Sequence, residues 1–326
     1  MMNKVDVIIV GGGLAGIMAA NTLKEAGVND VLIVEKGKSV GGRLATRRVG
    51  GGKADHGTQF FTAFTDLFNK QALNWHENGW TKKWFGGTHP RYYCVSGMNG
   101  LASMLAEGLN TKLNTKVISV HEGAQGFHLK TDKEELQAKA LIMTAPMPQI
   151  IELLKTGNIE LKTSIKEVTE AIEFSPCLVA IVELDQPSNL DSLGYADSKL
   201  PNGIDRIVDH QKKGISSTAI LSIYMTGEWS KENFAREDEQ VLANVLELIS
   251  DKYLNEAKVV SIQLKKWRYS EAVRVVNQPF LNAELSFPLI FAGDAFLAPN
   301  DPSKRARLET AAISGIAAGK EMTKLL

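Results

Sequence analysis

The sequence predicts an α/β fold with a parallel sheet at its centre, and three observations carry that prediction. Val5 to Val10 is a nearly unbroken apolar run ending in glycines, the pattern of a strand buried on both faces. Leu14, Ile17, Met18 and Leu23 then follow helical spacing, Gly27 stands where a C-cap would end the helix, and Val31 to Val34 reads as a second buried strand. At the far end of the chain Leu289 to Ala292 is another buried strand, and Arg307 to Lys324 is a helix rich in alanine and glycine. The opening is β-α-β, and the likeness of the two ends suggests one domain built from both.

Between the ends, Val117 to Val120, Phe127 to Leu129 and Ala138 to Met143 read as short strands, with Gly123 to Gly126 supplying the first turn. From about residue 150 to 287 the strand candidates lengthen: Cys177 to Leu184, Ala219 to Met225 and Val259 to Trp267. One strongly amphipathic helix lies among them, with Val241, Leu242, Val245, Leu246 and Ile249 on one face. No internal repeat or low-complexity linker interrupts the chain.

Composition narrows the function classes. At 326 residues the chain has room for one large or two medium domains, which suits an enzyme better than a binding module. Lys plus Arg and Asp plus Glu are both 37, so the net charge is zero and the basic field that nucleic acid or anionic lipid needs is missing. Two cysteines, Cys94 and Cys177, give neither a disulfide framework nor a zinc knuckle. No stretch approaches the ~20 apolar residues of a membrane helix, and Asp6 with the following glycines spoils a signal-peptide reading. The expectation is a soluble protein of the cytoplasm.

Gly11-Gly12-Gly13-Leu14-Ala15-Gly16 satisfies GxGxxG between a strand and a helix. Gly11 permits the tight turn, Gly13 lets backbone approach a pyrophosphate, and Gly16 lets helix and strand pack closely. The helix N-terminus offers unpaired N–H groups and its positive dipole end. Glu35, nineteen positions past Gly16 at the end of the second strand, is placed to accept hydrogen bonds from a ribose. The motif indicates a Rossmann-type dinucleotide site and leaves NAD and FAD unseparated.

Two further segments separate them. Gly41-Gly42-Arg43 follows Glu35 closely, and Gly293-Asp294 comes just after the late buried strand. Together they resemble the two-dinucleotide-binding-domain flavoproteins, in which a GGR segment approaches flavin or pyrophosphate and a late Gly-Asp contacts ribityl or phosphate. Three longer segments narrow the resemblance: Gly41 through Arg48, Asp55-His56-Gly57-Thr58-Gln59-Phe60-Phe61, and Lys266-Trp267-Arg268-Tyr269-Ser270. With Gly97 to Leu101, Thr144-Ala145-Pro146 and Glu309 to Gly315, they are similar to the renalase family of the flavin amine-oxidase superfamily, over the whole chain. The resemblance implies noncovalent FAD and oxidation of 2- or 6-dihydroNAD(P) isomers to NAD(P)⁺, with O₂ going to hydrogen peroxide. The amine oxidases' covalent flavin cysteine has no counterpart near Gly293-Asp294.

The expected cofactor-binding residues are Gly11, Gly13, Leu14, Ala15 and Gly16 in the loop, with Glu35 and Lys36 after the second strand. Gly42, Arg43, Val117, Gly293, Asp294 and Glu309 complete them. The expected catalytic residues are Gln59, Phe60, Trp267 and Tyr269. Trp267 and Tyr269 alternate onto one face of a strand, where they could flank a planar ring or simply pack the sheet, while Arg268 points away. Phe61 reads as core. Arg47 and Arg48 are either a solvated pair or neutralise a pyrophosphate. The small-sided C-terminal helix permits close packing on sheet or cofactor, and its amino end could stabilise anionic reduced flavin. No catalytic triad, carboxylate pair or metal-ligand spacing is visible, and no dithiol or second GxGxxG marks a disulfide reductase or a docked NADPH domain.

The expected architecture is a Rossmann-type FAD-binding domain from residues 1–70, 96–148 and 286–326. A mixed-sheet substrate domain takes residues 71–95 and 149–285. Beside the renalase-like reading stand a flavin amine or polyamine oxidase and a noncatalytic partner-binding protein on the same fold.

Overall fold

The computed structural model describes residues 4–254 and 256–326. Among these, an eight-stranded sheet and a five-stranded sheet form two layers of core. The first sheet is centred on Lys4–Val10, which pairs in parallel with Val31–Val34 on one side and Glu135–Met143 on the other. Thr111–Lys112 extends it in parallel beyond the second strand, and Leu289–Phe291 does so beside Glu135–Met143. The hairpin Val117–Gly123 and Gly126–Thr131 adds antiparallel to the start of Glu135–Met143.

The central strands are apolar throughout because both faces are covered. Val7, Ile9, Ile33 and Ile142 meet Ala19 and Leu23 of helix Leu14–Glu25 and Ala318 and Met322 of helix Leu308–Leu325. Ile8, Leu32, Leu141 and Met143 face the hairpin residues Val120, Phe127 and Leu129. The alanine- and glycine-rich face of the last helix is explained by its neighbour: a methyl group at Gly315 would strike the Ala15 carbonyl oxygen, and one at Gly319 would lie 2.8 Å from that of Ala19. The small residues pack on the first helix, at a spacing that no side chain would allow.

The second sheet is wholly antiparallel, in the order Tyr195–Ala196, Ile204–Asp209, Ile220–Met225, Glu173–Leu184, Val259–Arg274. One face, with Leu178, Ala180, Val182, Leu221 and Ile223, is covered by Val241, Val245 and Ile249 of helix Asp238–Ile249. The other face turns towards the first unit. Val259–Arg274 runs to 16 residues, so Trp267 and Tyr269 sit inside the strand and not at its end. Glu173–Leu184 absorbs Pro176 at a register shift between Ser175 and Cys177, since proline cannot donate to the ladder.

Several segments fall on the other side of the expected domain boundaries. Helix Asp66–Glu77 buries Phe68, Ala72 and Trp75 against Leu14, Met98, Leu101 and Ala312, within the first unit. Helices Met147–Thr156 and Thr163–Glu170 cover the first sheet through Met147, Ile150, Leu154 and Ile165. Leu281–Asn282 pairs with Leu289–Phe291, so the return to the first sheet begins before residue 286. An amphipathic helix carries its apolar stripe in its sequence but not the identity of the sheet it will cover. The hairpins Thr46–Val49 with Gly52–Asp55 and Thr81–Phe85 with Arg91–Cys94 escaped the sequence reading because their strands are short and charged.

Candidate active site

The glycine loop is built from backbone. Gly11 takes a φ of 114°, and its carbonyl accepts the Thr144 hydroxyl at 3.0 Å. A methyl group at Gly16 would strike the Gly11 carbonyl oxygen, whereas a Cβ at Gly13 would meet nothing within 4 Å. Gly16 is therefore required by the turn and Gly13 borders open space. The helical ladder starts with Ile17 N–H donating to the Gly13 carbonyl at 3.0 Å, leaving the N–H groups of Leu14, Ala15 and Gly16 ahead of it. Glu35 braces the loop by accepting Gly12 N–H at 2.7 Å and Gly37 N–H at 2.6 Å.

The segments from opposite chain ends converge on this loop. Gly41 N–H donates to the Gly12 carbonyl at 2.7 Å, and Gly13 and Gly41 form a parallel bridge. The Arg43 guanidinium then grips Asp294 with two bonds, 2.7 and 2.5 Å, and donates to the Ser270 carbonyl at 3.0 Å. Gly293 N–H donates to the buried Ser314 hydroxyl at 2.9 Å. One arginine thus ties the glycine-loop side, the late Gly-Asp turn and the long strand of the second sheet together.

Between the two units lies a buried polar network that the sequence did not reveal. Asp55 and Lys213 form an ion pair at 2.8 Å with neither side chain exposed. Lys213 Nζ also donates to the Gln59 carbonyl at 2.7 Å and to Gln59 Oε1 at 3.0 Å, which satisfies its three protons. The other Asp55 oxygen accepts the Thr46 hydroxyl at 2.6 Å and Met98 N–H at 2.9 Å. Burial pulls the Lys213 ammonium below its ordinary value, and Asp55 opposes that shift. Ser222 donates to the Asp55 carbonyl at 2.8 Å, Tyr224 donates to the Gly57 carbonyl at 2.9 Å and contacts the Gln59 amide, and Trp267 Nε1 donates to the His56 carbonyl at 2.7 Å. The segment 55–59 is thus held by Ser222, Tyr224 and Trp267 of the second sheet and by Lys213 of the turn between two of its strands.

The same face of that sheet is aromatic. Phe60 meets Trp84, Phe85 and Tyr195 edge-on, with centroids 6.3, 5.9 and 5.8 Å away. Arg91 lies over Phe60 and Phe85, Lys213 over Trp84 and Arg206 over Tyr224. Trp267 stacks on His56 at 5.5 Å and Tyr269 packs edge-on against Phe174. His56 is pushed down to about 4, mainly by burial and then by the nearby Lys265 charge, so its imidazole is neutral near pH 7.

Comparison with known proteins decides the family. Residues 9–73 match an NAD(P)-binding Rossmann-like domain, and residues 72–295 match the flavin containing amine oxidoreductases. The chain belongs to the flavin-containing amine oxidoreductase family. Polyamine oxidase 7 of Oryza sativa subsp. japonica is 41% identical over 54 residues, 17% of this chain and 11% of that protein. Human flavin-containing amine oxidase B is 48% identical over 48 residues, 15% of this chain and 9% of that protein. These matches span only about a tenth of each relative. A solved structure from Exiguobacterium sp. 255-15, named as a protoporphyrinogen oxidase, superposes with a TM-score of 0.66 over 99% of both chains at 12% identity, which shows the fold.

FAD is the cofactor of this family of flavin oxidoreductases, and the loop geometry suits it. The space at Gly13, the N–H groups of Leu14 and Ala15 and the helix dipole can receive a pyrophosphate. Gly293, at φ 149° with only the Thr144 carbonyl oxygen near a Cβ position at 3.9 Å, leaves a second opening beside Asp294. Gly42 lies against Gly13, so the two loops flank the same space.

The side chains of the remaining expected residues meet other parts of the chain or solvent. Glu309 is fully buried, with its carboxylate engaged by Phe64 N–H, Thr65 N–H, the Thr65 hydroxyl and Arg307. It anchors the start of helix Asp66–Glu77. Lys36 reaches Gln149 at the surface, 3.3 Å away, and Val117 is a buried residue opening the hairpin. Phe61 is core, packed on Phe68, Trp75 and Tyr92. Arg47 and Arg48 are exposed on their hairpin. Gln59 and Phe60 do reach the face between the units, whereas Asp55, Lys213, Tyr224, Trp84 and Arg91 were not anticipated in any role. Asp55 opens the family-like segment 55–61, the one signal in the sequence, whereas Lys213 lies in a polar turn that reads as solvated.

Proposed function

We propose that this protein is an FAD-dependent oxidase whose electron donor is a 2- or 6-dihydroNAD(P) isomer, oxidised to NAD(P)⁺ while O₂ is reduced to hydrogen peroxide. In this reading Gly11, Gly13, Leu14, Ala15 and Gly16 hold the pyrophosphate, Glu35 the ribose, and Arg43 with Asp294 the ribityl side. Bound FAD supplies a two-electron acceptor for the hydride and passes the electrons to O₂; the hydride and one solvent proton account for both hydrogens of the peroxide. Cys94 is wholly buried among the helices, and burial pushes the Cys177 thiol up to about 12, so neither supports a covalent flavin link.

One observation carries the choice of donor: the chain's own cations already lie over four rings of this face. Arg91 lies over Phe60 and Phe85, Lys213 over Trp84, and Arg206 over Tyr224. An alkylammonium would need a free ring face or a free carboxylate, and Asp55 is engaged by Lys213. A dihydronicotinamide needs stacking and orientation, for which Trp267 and Tyr269 are the candidate rings, and requires no base because it leaves as a pyridinium. The second reading, amine or polyamine oxidation, draws its support from the names of the curated relatives.

Anaerobic mixing of the FAD-loaded protein with each donor tests the two readings. Bleaching of the flavin by the isomers, little by ordinary NADH and none by amines, with peroxide on admitting air, is the expected result. Reduction by an amine with no response to the isomers would transfer the protein to the second reading, and no reduction by any donor would favour a noncatalytic role.

A further inference from the structure

We propose that Arg91 is an anion anchor on the aromatic face, so that the molecule bound there carries a phosphate or a carboxylate. The proposal takes the location of the substrate site from the oxidase reading above. Among the described residues the other arginines without an ion pair, Arg47, Arg48, Arg236, Arg268 and Arg305, are exposed. Arg91 is half-buried and still has no carboxylate partner. Its guanidinium lies 4.8 Å from the centre of Phe85 and 5.3 Å from that of Phe60, and its buried Nε has no hydrogen-bond partner.

A guanidinium taken from water normally gains an acceptor in return. Contact with the two rings, which stand at 71° to each other, supplies no hydrogen-bond acceptor, and a guanidinium can donate two parallel bonds to one phosphate or carboxylate. Tyr195 packs on Phe60 and Phe85 and feels two cations, Arg206 and Arg91, and two carboxylates, Asp197 and Asp205. Its phenol, pushed up to about 12 chiefly by burial, remains a neutral donor. Arg206 is already paired with Asp205 at 2.6 Å, which leaves Arg91 as the cation in want of a counter-charge.

The test compares ligands that differ in a single charged group, using the FAD-loaded protein and shifts of the flavin spectrum as the binding signal. Nicotinamide mononucleotide against nicotinamide riboside isolates the phosphate; nicotinate against nicotinamide isolates the carboxylate. In at least one pair the charged member should bind about 10–100-fold more tightly, as a charge-assisted bidentate contact gives, and the preference should fall as NaCl is raised. Arg91→Gln should erase that preference while leaving the uncharged member and the FAD content unchanged, and Arg91→Lys should restore part of it. No preference in the unmodified protein, a preference indifferent to salt, or an Arg91→Gln loss equal for both members would each overturn the proposal. Should Arg91→Gln fail to load FAD, the salt series and Arg91→Lys still decide. If the isomers never bleach the flavin while anion binding stays dependent on Arg91, the donor assignment fails and the anchor stands; bleaching without that dependence gives the reverse.

Discussion

At the glycine loop the chain presents backbone: N–H groups, a carbonyl-lined turn and the space at Gly13. At the aromatic face of the second sheet it presents side chains, brought there from hairpin, strand and turn and held by a dry ion pair. The two regions differ in what a single substitution can separate. In the loop, fold and ligand space depend on neighbouring glycines for different reasons. At the face, packing and chemistry share the same atoms, because Lys213, Gln59 and Tyr224 both seal the interface and fix the segment that borders the site.

The largest effect expected from this contrast is within the loop itself. Gly16→Val places side-chain atoms against the Gly11 carbonyl and should abolish folded protein, since neither backbone segment can yield. Gly13→Val meets open space and keeps an ordinary φ of -74°, so the chain should fold with an unchanged circular dichroism spectrum yet retain no FAD. Equal behaviour of the two variants would dissolve the distinction between turn glycine and cradle glycine.

Next comes the ion pair. Asp55→Ala leaves Lys213 buried without its counter-charge and should cost about 3–5 kcal/mol in denaturant unfolding. Lys213→Met in the Asp55→Asn background should cost much less than the sum of the two single changes, because two uncharged partners need no compensation. Additive losses would show that the pair acts through packing alone.

A more gradual effect is spread over pH. His56 is held down to about 4 and His210 to about 3, both chiefly by burial, against an ordinary value of 6.5. In each case the unfolded chain binds the proton more readily, so the stabilisation is complete above pH 6.5 and is lost as pH falls from there towards the folded values. The slope should approach about 1.4 kcal/mol per pH unit for each histidine below pH 6. His210→Gln should remove one of the two contributions in urea melts between pH 6 and 4.5. A flat stability profile over that interval would mean that both rings find a partner when protonated.

What was legible in the sequence follows the same division. Strand, glycine turn, helix and acid at residues 5–35 could be read directly, because a backbone-built site depends on neighbours in sequence and on periodicities of two and 3.6. Gly41 to Arg43 and Gly293-Asp294 could be read only through their resemblance to a family; nothing local says that Arg43 closes on Asp294. Glu309 shows the same limit: its place beside conspicuous small residues points to a cofactor, while the partners of its carboxylate, Phe64 and Thr65, lie more than 240 positions away.

The sequence alone determined that a dinucleotide-binding α/β unit opens this chain and that the chain returns to complete it. Hydrophobic periodicity and glycine placement are local and repeat along the chain. The tertiary structure alone decided that Asp55 would meet Lys213 across 158 positions, and that Arg91 would lie over two aromatic rings without an acceptor. A charged side chain has the same identity in a solvated turn and in a dry interface. Its desolvation and its partners, which fix what it can do, come into existence only when distant segments pack.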